Sequence, residues 1–193
     1  MKRVAVLVSG KGTNLEGMIN AEVPIALVVA DRPCRGLEIA KKAMIETALV
    51  ERESFGKDFD RNSYTKKLLK VLVSKEIDLI AMAGFMTFLG DAIFDRYEGH
   101  ILNTHPSLLP LFKGDKAVED TLKAGSHITG CTIHIATKKL DDGPIIAQHE
   151  VKIMPKDTVE ILHERIKKIE RVVYPETIKK ILAGELKLPH EKS

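Results

Sequence analysis

Tryptophan is absent from the 193-residue chain, and aromatic residues make up only 5% of it. With so few aromatic side chains, no platform on which nucleic-acid bases could stack stands out. The formal net charge at pH 7 is +3, which is too small to indicate a nucleic-acid surface but is compatible with a small phosphate-bearing substrate. The sequence therefore predicts no nucleic-acid partner.

Cysteine and long apolar runs are also scarce. The two cysteines, Cys34 and Cys131, form no Cys-x-x-Cys pair, and Cys131 in "GCTIHIA" is expected to be a small core residue. No histidine pair has the spacing of a metal-binding helix, so no metal is predicted. No run approaches the roughly 18 apolar residues of a membrane span, and "MKRVAVLVSG" is too short to be a signal peptide. These absences predict a cytoplasmic protein without membrane contact.

What the chain does contain is an alternation of strand and helix patterns. Its length fits a single domain, 1–193, and its 44% of hydrophobic residues can form a substantial core. Continuous apolar runs, rich in β-branched residues, are typical of strands that are covered on both faces, and short links join them to helical patterns. The predicted strands are 3–8, 24–30, 77–84 and 99–104, and the predicted helices are 14–21, 36–44 and 61–75.

After residue 125 the pattern changes. Two strands are predicted at 128–137 and 144–153, joined by "KKLDDG" as an antiparallel extension. A long helix then starts at Asp157 or Thr158, both good N-caps, and Pro175 predicts a kink or an end near Tyr174. The predicted fold is therefore α/β and doubly wound, with a mostly parallel, Rossmann-like sheet, helices on both faces and an antiparallel C-terminal extension.

A glycine loop, "VLVSGKGTNLEG", lies directly between the first strand and the first helix. It lacks the upstream glycine of a Walker A loop. A monophosphate site at the helix N-terminus is one interpretation. A dinucleotide fingerprint would need a third glycine where Leu15 stands, although Asp31 ends the second strand about where a ribose-binding acid belongs. A tight turn that binds nothing is the third interpretation, and the loop alone leaves all three open.

The stretch "HILNTHPSLLP" ends an apolar strand with consecutive polar residues. Asn103 and His105 are two apart on an extended segment, so their side chains point the same way, and two prolines restrict the exit. An amide beside an imidazole suits stabilisation of an oxyanion. "KKLDDGP" offers Asp141 and Asp142 as partners for the imidazole, but spacing alone does not bring that loop to His105. A structural role is the simpler alternative for His105, as it is for His134, which alternates with apolar residues.

These motifs together resemble the folate-dependent formyltransferases. "NTHPSLLP" is similar to that family's signature, "LDDGP" is similar to its second catalytic loop, and the interval between them agrees. "SGKGTNLEGMI" and "AGFMTFLG" resemble the members that formylate glycinamide ribonucleotide, and the similarity covers nearly the whole chain. The resemblance implies one formyltransferase domain whose N-terminal half binds the ribonucleotide and whose C-terminal half binds folate and carries catalysis.

The resemblance also implies a reaction and its residues. The formyl group of 10-formyltetrahydrofolate, the co-substrate, would pass to the substrate amine in purine biosynthesis, without a metal, on a monomer or homodimer. Asn103 and His105 would hold the formyl oxygen, and Asp141 would keep His105 protonated and relay protons. Ribonucleotide binding would fall to Gly12, Thr13, Asn14 and Glu170, and folate binding to Arg61, Met86, Thr87, Phe88, Leu89 and Asn103.

Three positions depart from the commonest family pattern. Thr87 stands where arginine is frequent, and Lys116 and Arg171 each replace a frequent histidine. A substituted side chain at Thr87 matters little if the backbone makes the folate contacts. The departures therefore affect the folate tail and substrate affinity rather than the reaction centre.

Several rival functions share some of these motifs. Methionyl-tRNA formyltransferase would need a further C-terminal domain, and formyltetrahydrofolate hydrolase an additional N-terminal regulatory domain. Sugar-amine formyltransferases explain the phosphate loop less well. A non-catalytic nucleotide-binding module, from a different functional class, would use the glycine loop and Asp31 and leave Asn103, His105 and Asp141 idle.

Overall fold

The computed structural model describes residues 2–54, 56 and 58–189 of the chain. One seven-stranded sheet forms the centre of the fold, with the strand order β3-β2-β1-β4-β5-β6-β7. The strands are β1 (Val4–Val8), β2 (Ile25–Ala30), β3 (Thr47–Leu49), β4 (Leu79–Met82), β5 (Ile101–His105), β6 (Ile128–Ile135) and β7 (Ile145–Lys152). The helices are α1 (Thr13–Asn20), α2 (Arg35–Lys42), α3 (Arg61–Ser74), α4 (Asp91–Arg96), α5 (Ala117–Lys123) and α6 (Val159–Leu182).

The continuous apolar strands are covered on both faces because successive side chains point to opposite sides of the sheet. Val4, Val6 and Val8 of β1 belong to a core that also contains buried residues of α1, α2, α5 and α6. Ala5 and Leu7 belong to a second core, against α3 and α4. The predicted doubly wound α/β fold is therefore confirmed.

The strand directions identify where a ligand crevice belongs. β1 to β5 pair in parallel, whereas β6 pairs with β5 and β7 pairs with β6 in the antiparallel sense. The chain moves outward from β1 through β2 to β3 and then returns to β4 on the other side of β1. Ligands bind in such sheets at this reversal, outside the carboxyl ends of the strands. The glycine loop after β1 and the 83–90 segment after β4 both start there.

The sequence patterns miss some elements and misplace one end. They do not predict β3, α4 or α5, all short. Pro175 does not end the last helix, because α6 continues to Leu182. Proline at position 175 leaves the Arg171 carbonyl without its helical donor. That carbonyl packs against Gly17 of α1, so closely that a Cβ on Gly17 would lie 2.8 Å from it.

Of the helices in the ranges given above, none combines the length and the hydrophobicity needed to cross a lipid bilayer.

Candidate active site

The glycine loop prepares the start of α1 for an anion. Gly12, the N-cap, has φ of 72°, in the left-handed region that favours glycine. A Cβ there would lie 2.9 Å from the Gly36 Cα, so the close approach of α2 also requires glycine. The first N–H groups of a helix have no intrahelical acceptor, and Gly12 has no side chain to cap them. This turn can therefore donate several N–H groups to a phosphate.

Asn14 and Glu170 meet just behind this helix start. Asn14 Nδ2 donates to Glu170 Oε2 across 3.4 Å, and Thr104 Oγ1 donates to Glu170 Oε1 across 3.0 Å. Burial raises the pKa of Glu170, an effect that these two hydrogen bonds oppose without cancelling. Asn14 Oδ1 is buried and has no hydrogen-bond partner among the described residues. A buried acceptor without a partner is costly, which suits a site completed by a ligand donor.

The pairing of β5 with β6 sets Asn103 directly opposite His134. Asn103 Nδ2 lies 3.2 Å from His134 Nε2, and His134 Nδ1 lies 3.0 Å from the Ile135 carbonyl. His134 Nδ1 faces that carbonyl, while its Nε2 faces both the Asn103 amide and the Asp141 carboxylate. The amide nitrogen of Asn103 carries a second N–H, which can donate to a ligand.

Asp141 lies between two histidines. Its Oδ2 is 3.3 Å from His105 Nδ1, and its Oδ1 is 3.6 Å from His134 Nε2. The Gly114 N–H donates to Oδ2 across 2.9 Å. Burial opposes ionisation of Asp141, but the interactions with His134, Gly114 and His105 outweigh it and hold its pKa below the usual range. The structure thus brings Asn103, His105 and Asp141 into one cluster around an ionised carboxylate.

Both ring nitrogens of His105 face oxygen acceptors. Nδ1 faces Asp141, and Nε2 lies 2.8 Å from the Phe112 carbonyl. The left-handed φ of 53° at Phe112 belongs to the turn that places this carbonyl against the ring. A ring with protons on both nitrogens satisfies both contacts. Asp142, by contrast, is exposed and forms its ion pair with Lys113, so the structure separates the two adjacent carboxylates.

The loop after β4 has an alternating exposure. Met86 and Phe88 are 64% and 58% exposed, whereas Thr87 is 2% exposed and Leu89 is also buried. The Arg61 guanidinium, at the start of α3, lies 5.8 Å from the centre of the Phe88 ring. Because the Thr87 side chain points into the protein, a ligand at this loop would meet the backbone there.

Asp31 is buried, whereas a dinucleotide site would need its carboxylate to be accessible to the ribose. Its side chain is fully inaccessible, forms two hydrogen bonds with Arg32, and accepts a third from Thr87 Oγ1 across 2.6 Å. No ribose hydroxyl can reach this carboxylate in the described conformation. The geometry therefore disfavours the dinucleotide interpretation of the glycine loop.

The other two positions that depart from the pattern lie outside the cluster of Asn103, His105 and Asp141. Lys116 is the exposed N-cap of α5, and the Arg171 guanidinium lies 3.8 Å from Glu164 on α6. Across the part of the chain that the structure describes, no group of three or more His, Cys, Asp or Glu side chains is arranged to hold a metal ion.

Sequence reasoning missed two participants in the cluster. A structural role is predicted for His134, whose contacts with Asn103 and Asp141 were not foreseen, and the Phe112 carbonyl has no sequence signal. An alternating polar residue in a strand could have indicated His134 only if the antiparallel register with β5 were known. That register depends on long-range pairing, which the local pattern does not encode.

Comparison with known proteins gives a consistent result. The Formyl transferase family model matches residues 2–178. A phosphoribosylglycinamide formyltransferase of Bacillus subtilis is 36% identical over 189 residues, which cover 94% of this chain and 95% of that protein. The crystal structure of phosphoribosylglycinamide formyltransferase from Anaplasma phagocytophilum superimposes with a TM-score of 0.88 at 39% identity, covering 98% of this chain and 91% of that one.

A much longer relative matches over the same region. The trifunctional purine biosynthetic protein adenosine-3 of Gallus gallus is 38% identical over 193 residues, or 96% of this chain. The chain spans only 19% of the length of that relative.

Proposed function

Because the chain belongs to the formyl transferase family, we propose that it transfers the formyl group of 10-formyltetrahydrofolate to the amine of 5'-phosphoribosylglycinamide. The products are the N-formyl ribonucleotide and tetrahydrofolate, in a step of de novo purine biosynthesis. The observation that carries this proposal is the sequence match to the Bacillus subtilis phosphoribosylglycinamide formyltransferase, which covers 95% of that protein's length. Both substrates are small molecules, and we infer a cytoplasmic location and no metal requirement.

The ribonucleotide phosphate binds at the start of α1. Gly12, Thr13 and Asn14 offer backbone N–H groups to the phosphate, and the positive end of the helix dipole favours its charge. Glu170 and the unpaired Oδ1 of Asn14 face the same region, so they accept hydrogen bonds from the sugar or the glycinamide. Together these groups hold the amine at the carboxyl end of β5.

The formyl folate binds beside the loop after β4. Met86 and Phe88 present exposed apolar side chains. The backbone of Met86 to Leu89 forms hydrogen bonds with the polar edge of the folate ring. Arg61, close to the Phe88 ring, supplies a positive charge for the acidic tail. These residues suit a flat, partly apolar and anionic ligand.

Catalysis belongs to the cluster on β5. The folate supplies the formyl group, whose carbon the ribonucleotide amine attacks, so negative charge develops on the formyl oxygen. Asn103 donates its second Nδ2 N–H to that oxygen. His105 donates from Nε2 once the formyl oxygen replaces the Phe112 carbonyl as its acceptor. Losing one such donor typically costs about 3–4 kcal/mol of transition-state stabilisation.

Asp141 accepts a hydrogen bond from His105 Nδ1, and its negative charge stabilises the positive charge that develops on the ring during the reaction. Its low pKa, set against burial, maintains the negative charge at the pH of the cytoplasm. The attacking amine becomes cationic and must lose a proton, whereas the folate nitrogen N10 must gain one when its bond to the formyl carbon breaks and tetrahydrofolate leaves. The Asp141–His105 pair helps to move the proton from the amine to N10.

The direct test follows absorbance as a 10-formylfolate loses its formyl group, with and without the ribonucleotide. Loss that requires the ribonucleotide, with N-formyl product detected by mass spectrometry, supports the proposal. Loss without it would indicate a formyl-folate hydrolase instead. His105→Ala should abolish most turnover with an unchanged circular dichroism spectrum, and near-normal kcat in that variant would contradict the assigned roles.

A non-catalytic nucleotide-binding module is the alternative from another class. It would bind NAD in a fluorescence titration and catalyse no formyl transfer. The buried position of Asp31 argues against it.

A further inference from the structure

Asp31 holds a buried negative charge at the end of β2, beside the loop after β4. Thr87 Oγ1 donates to Asp31 Oδ2 across 2.6 Å, although the two residues are far apart in sequence. Arg32 donates to both carboxylate oxygens, at 3.0 and 2.8 Å, and thereby compensates the charge. A carboxylate with no solvent exposure that is paired in this way is a firm anchor for whatever it binds.

A second branch of the same network holds the neighbouring residue. The Met86 N–H donates to Ser9 Oγ across 2.8 Å. Burial opposes ionisation of Asp31, but hydrogen bonds from Arg32, Thr87 and Ser9 hold its pKa below the usual value, so Ser9 links Met86 to the same carboxylate. Two consecutive residues of the 86–89 loop are therefore fixed to the ends of β1 and β2, one through its hydroxyl and the other through its backbone N–H.

The network acts on the loop that the proposed function assigns to folate. Because the Thr87 side chain is buried against Asp31, the loop backbone is turned towards the crevice at the β1–β4 reversal. A backbone that binds a ring through hydrogen bonds has the highest affinity when its N–H and C=O groups are already in place before the ligand binds. Ordering a loop during binding costs conformational entropy and reduces affinity.

We propose that Asp31 is a positioning residue for the formyl-folate site, and that its hydrogen bond to Thr87 fixes the Met86–Leu89 loop for binding. This inference rests on the proposed function. Asp31 does not touch either substrate, and its contribution is to ligand affinity rather than to the chemical step.

A purely stabilising role makes a different prediction. A structural carboxylate changes the folding free energy when neutralised but leaves the KM of the folded fraction unchanged. The chain offers a matched control in Asp157, whose carboxylate is paired with Arg165 at 2.6 and 2.7 Å and accepts from the Met154 N–H at 2.8 Å. Asp157 lies just before α6 and Arg165 lies within it, and neither belongs to the Asn103–His105–Asp141 cluster or to the loop after β4.

The experiment measures kcat and both KM values for Asp31→Asn, Thr87→Val, Thr87→Ser and Asp157→Asn. Asp31→Asn should raise the KM for formyl folate about tenfold or more, which corresponds to roughly 1.4 kcal/mol. Its kcat and its KM for the ribonucleotide should stay within about threefold of the wild type. Asp157→Asn should lower Tm with both KM values unchanged.

The Thr87 variants test the hydrogen bond itself. Thr87→Val, which lacks the hydroxyl, should raise the folate KM, whereas Thr87→Ser should restore it to near the wild-type value. Combined with Asp31→Asn, the Val substitution should add little, because both changes remove the same interaction. These variants also decide the question if Asp31→Asn fails to fold.

The outcomes separate this inference from the proposed function. If the wild-type protein shows no ribonucleotide-dependent formyl loss, the proposed function is wrong and the kinetic test does not apply. The Kd for tetrahydrofolate, measured by titration, then reports on folate binding at the loop without any reaction. An equal Kd for the wild type and Thr87→Val would overturn the inference. If the wild type is active but Asp31→Asn and Thr87→Val keep a wild-type folate KM, the inference alone is wrong.

Discussion

Replacing Asp141 by asparagine removes one negative charge from the centre of the proposed catalytic cluster while keeping nearly the same side-chain shape. The carboxylate lies 3.3 Å from His105 Nδ1, and the side chains of Asp141 and His105 are only 4% and 6% exposed. Solvent therefore screens this pair weakly. The substitution should affect the reaction far more than it affects the fold.

The distance sets the scale of the effect. Two unit charges 3.3 Å apart interact by about 5 kcal/mol at an effective dielectric constant of 20. Only the part of this interaction that grows towards the transition state accelerates the reaction. We therefore expect kcat to fall by roughly 10²–10⁴-fold, the usual range for a positioned acid–base group.

The assay is ribonucleotide-dependent loss of absorbance from a 10-formylfolate, and the matched control is Asp142→Asn. Asp142 is the next residue, but it is exposed and paired with Lys113, so its neutralisation should change kcat by less than about threefold. A wild-type kcat in Asp141→Asn would refute the reasoning. A large loss in Asp142→Asn together with a near-normal kcat in Asp141→Asn would show that the two carboxylates had been assigned in the wrong order.

The difference in Tm between Asp141→Asn and the wild type should depend on pH. The folded-state pKa of Asp141 is lowered, so its ionisation stabilises the native state above the unfolded pKa, near 3.8, and this contribution is lost as pH falls through the lower folded value. Asp141→Asn should thus have a lower Tm than the wild type at pH 7. The difference should shrink as the pH is brought below 3.8, provided both proteins unfold reversibly.

Three further predictions follow from single contacts. Gly12→Ala should destabilise the protein by at least about 1–2 kcal/mol, because φ is 72° and the new Cβ would meet Gly36, and it should raise the ribonucleotide KM more than the folate KM. Glu170→Gln should also raise the ribonucleotide KM. Because burial raises the folded pKa of Glu170, wild-type stability falls as pH rises above the unfolded value near 4.5, so the variant should have the higher Tm at pH 8. Tyr174→Phe should cost about 1–2 kcal/mol in urea unfolding with kcat unchanged, since the phenol donates to the buried Leu102 carbonyl across 3.0 Å.

The fold was largely predictable from the sequence because its central strands are continuous apolar runs. A strand that is covered on both faces of a sheet needs apolar residues at nearly every position, so it can be recognised without knowing its neighbours. β3 was missed because it has three residues, two half-buried and one exposed, and α4 and α5 because six or seven residues carry little periodicity. α6 continues past Pro175, and the Arg171 carbonyl that the proline leaves without a helical donor packs against Gly17 of α1. No local pattern around the proline can reveal this contact between two helices.

The candidate site was predicted in a different way. The polar residues at strand ends indicated where chemistry belonged, and the resemblance to a family assigned their roles. The contacts among them depend on the β5–β6 register and on the left-handed turn at Asp141, neither of which follows from spacing. Asp31 shows the limit of motif reasoning: an acid after the second strand was consistent with ribose binding, yet its side chain points inward to Thr87.

A buried strand that ends in an amide, a hydroxyl and an imidazole can serve two substrates at once. Side chains alternate along a strand, so Thr104 points towards Glu170 while Asn103 and His105 point to the opposite face, where His134 lies. One short strand therefore contacts the ribonucleotide side and the formyl side of the proposed site, and the two substrates meet at its carboxyl end. A slip of one residue in the pairing with β6 would exchange these faces. The chemistry consequently depends on the register of β5, which the pairing of Asn103 opposite His134 fixes.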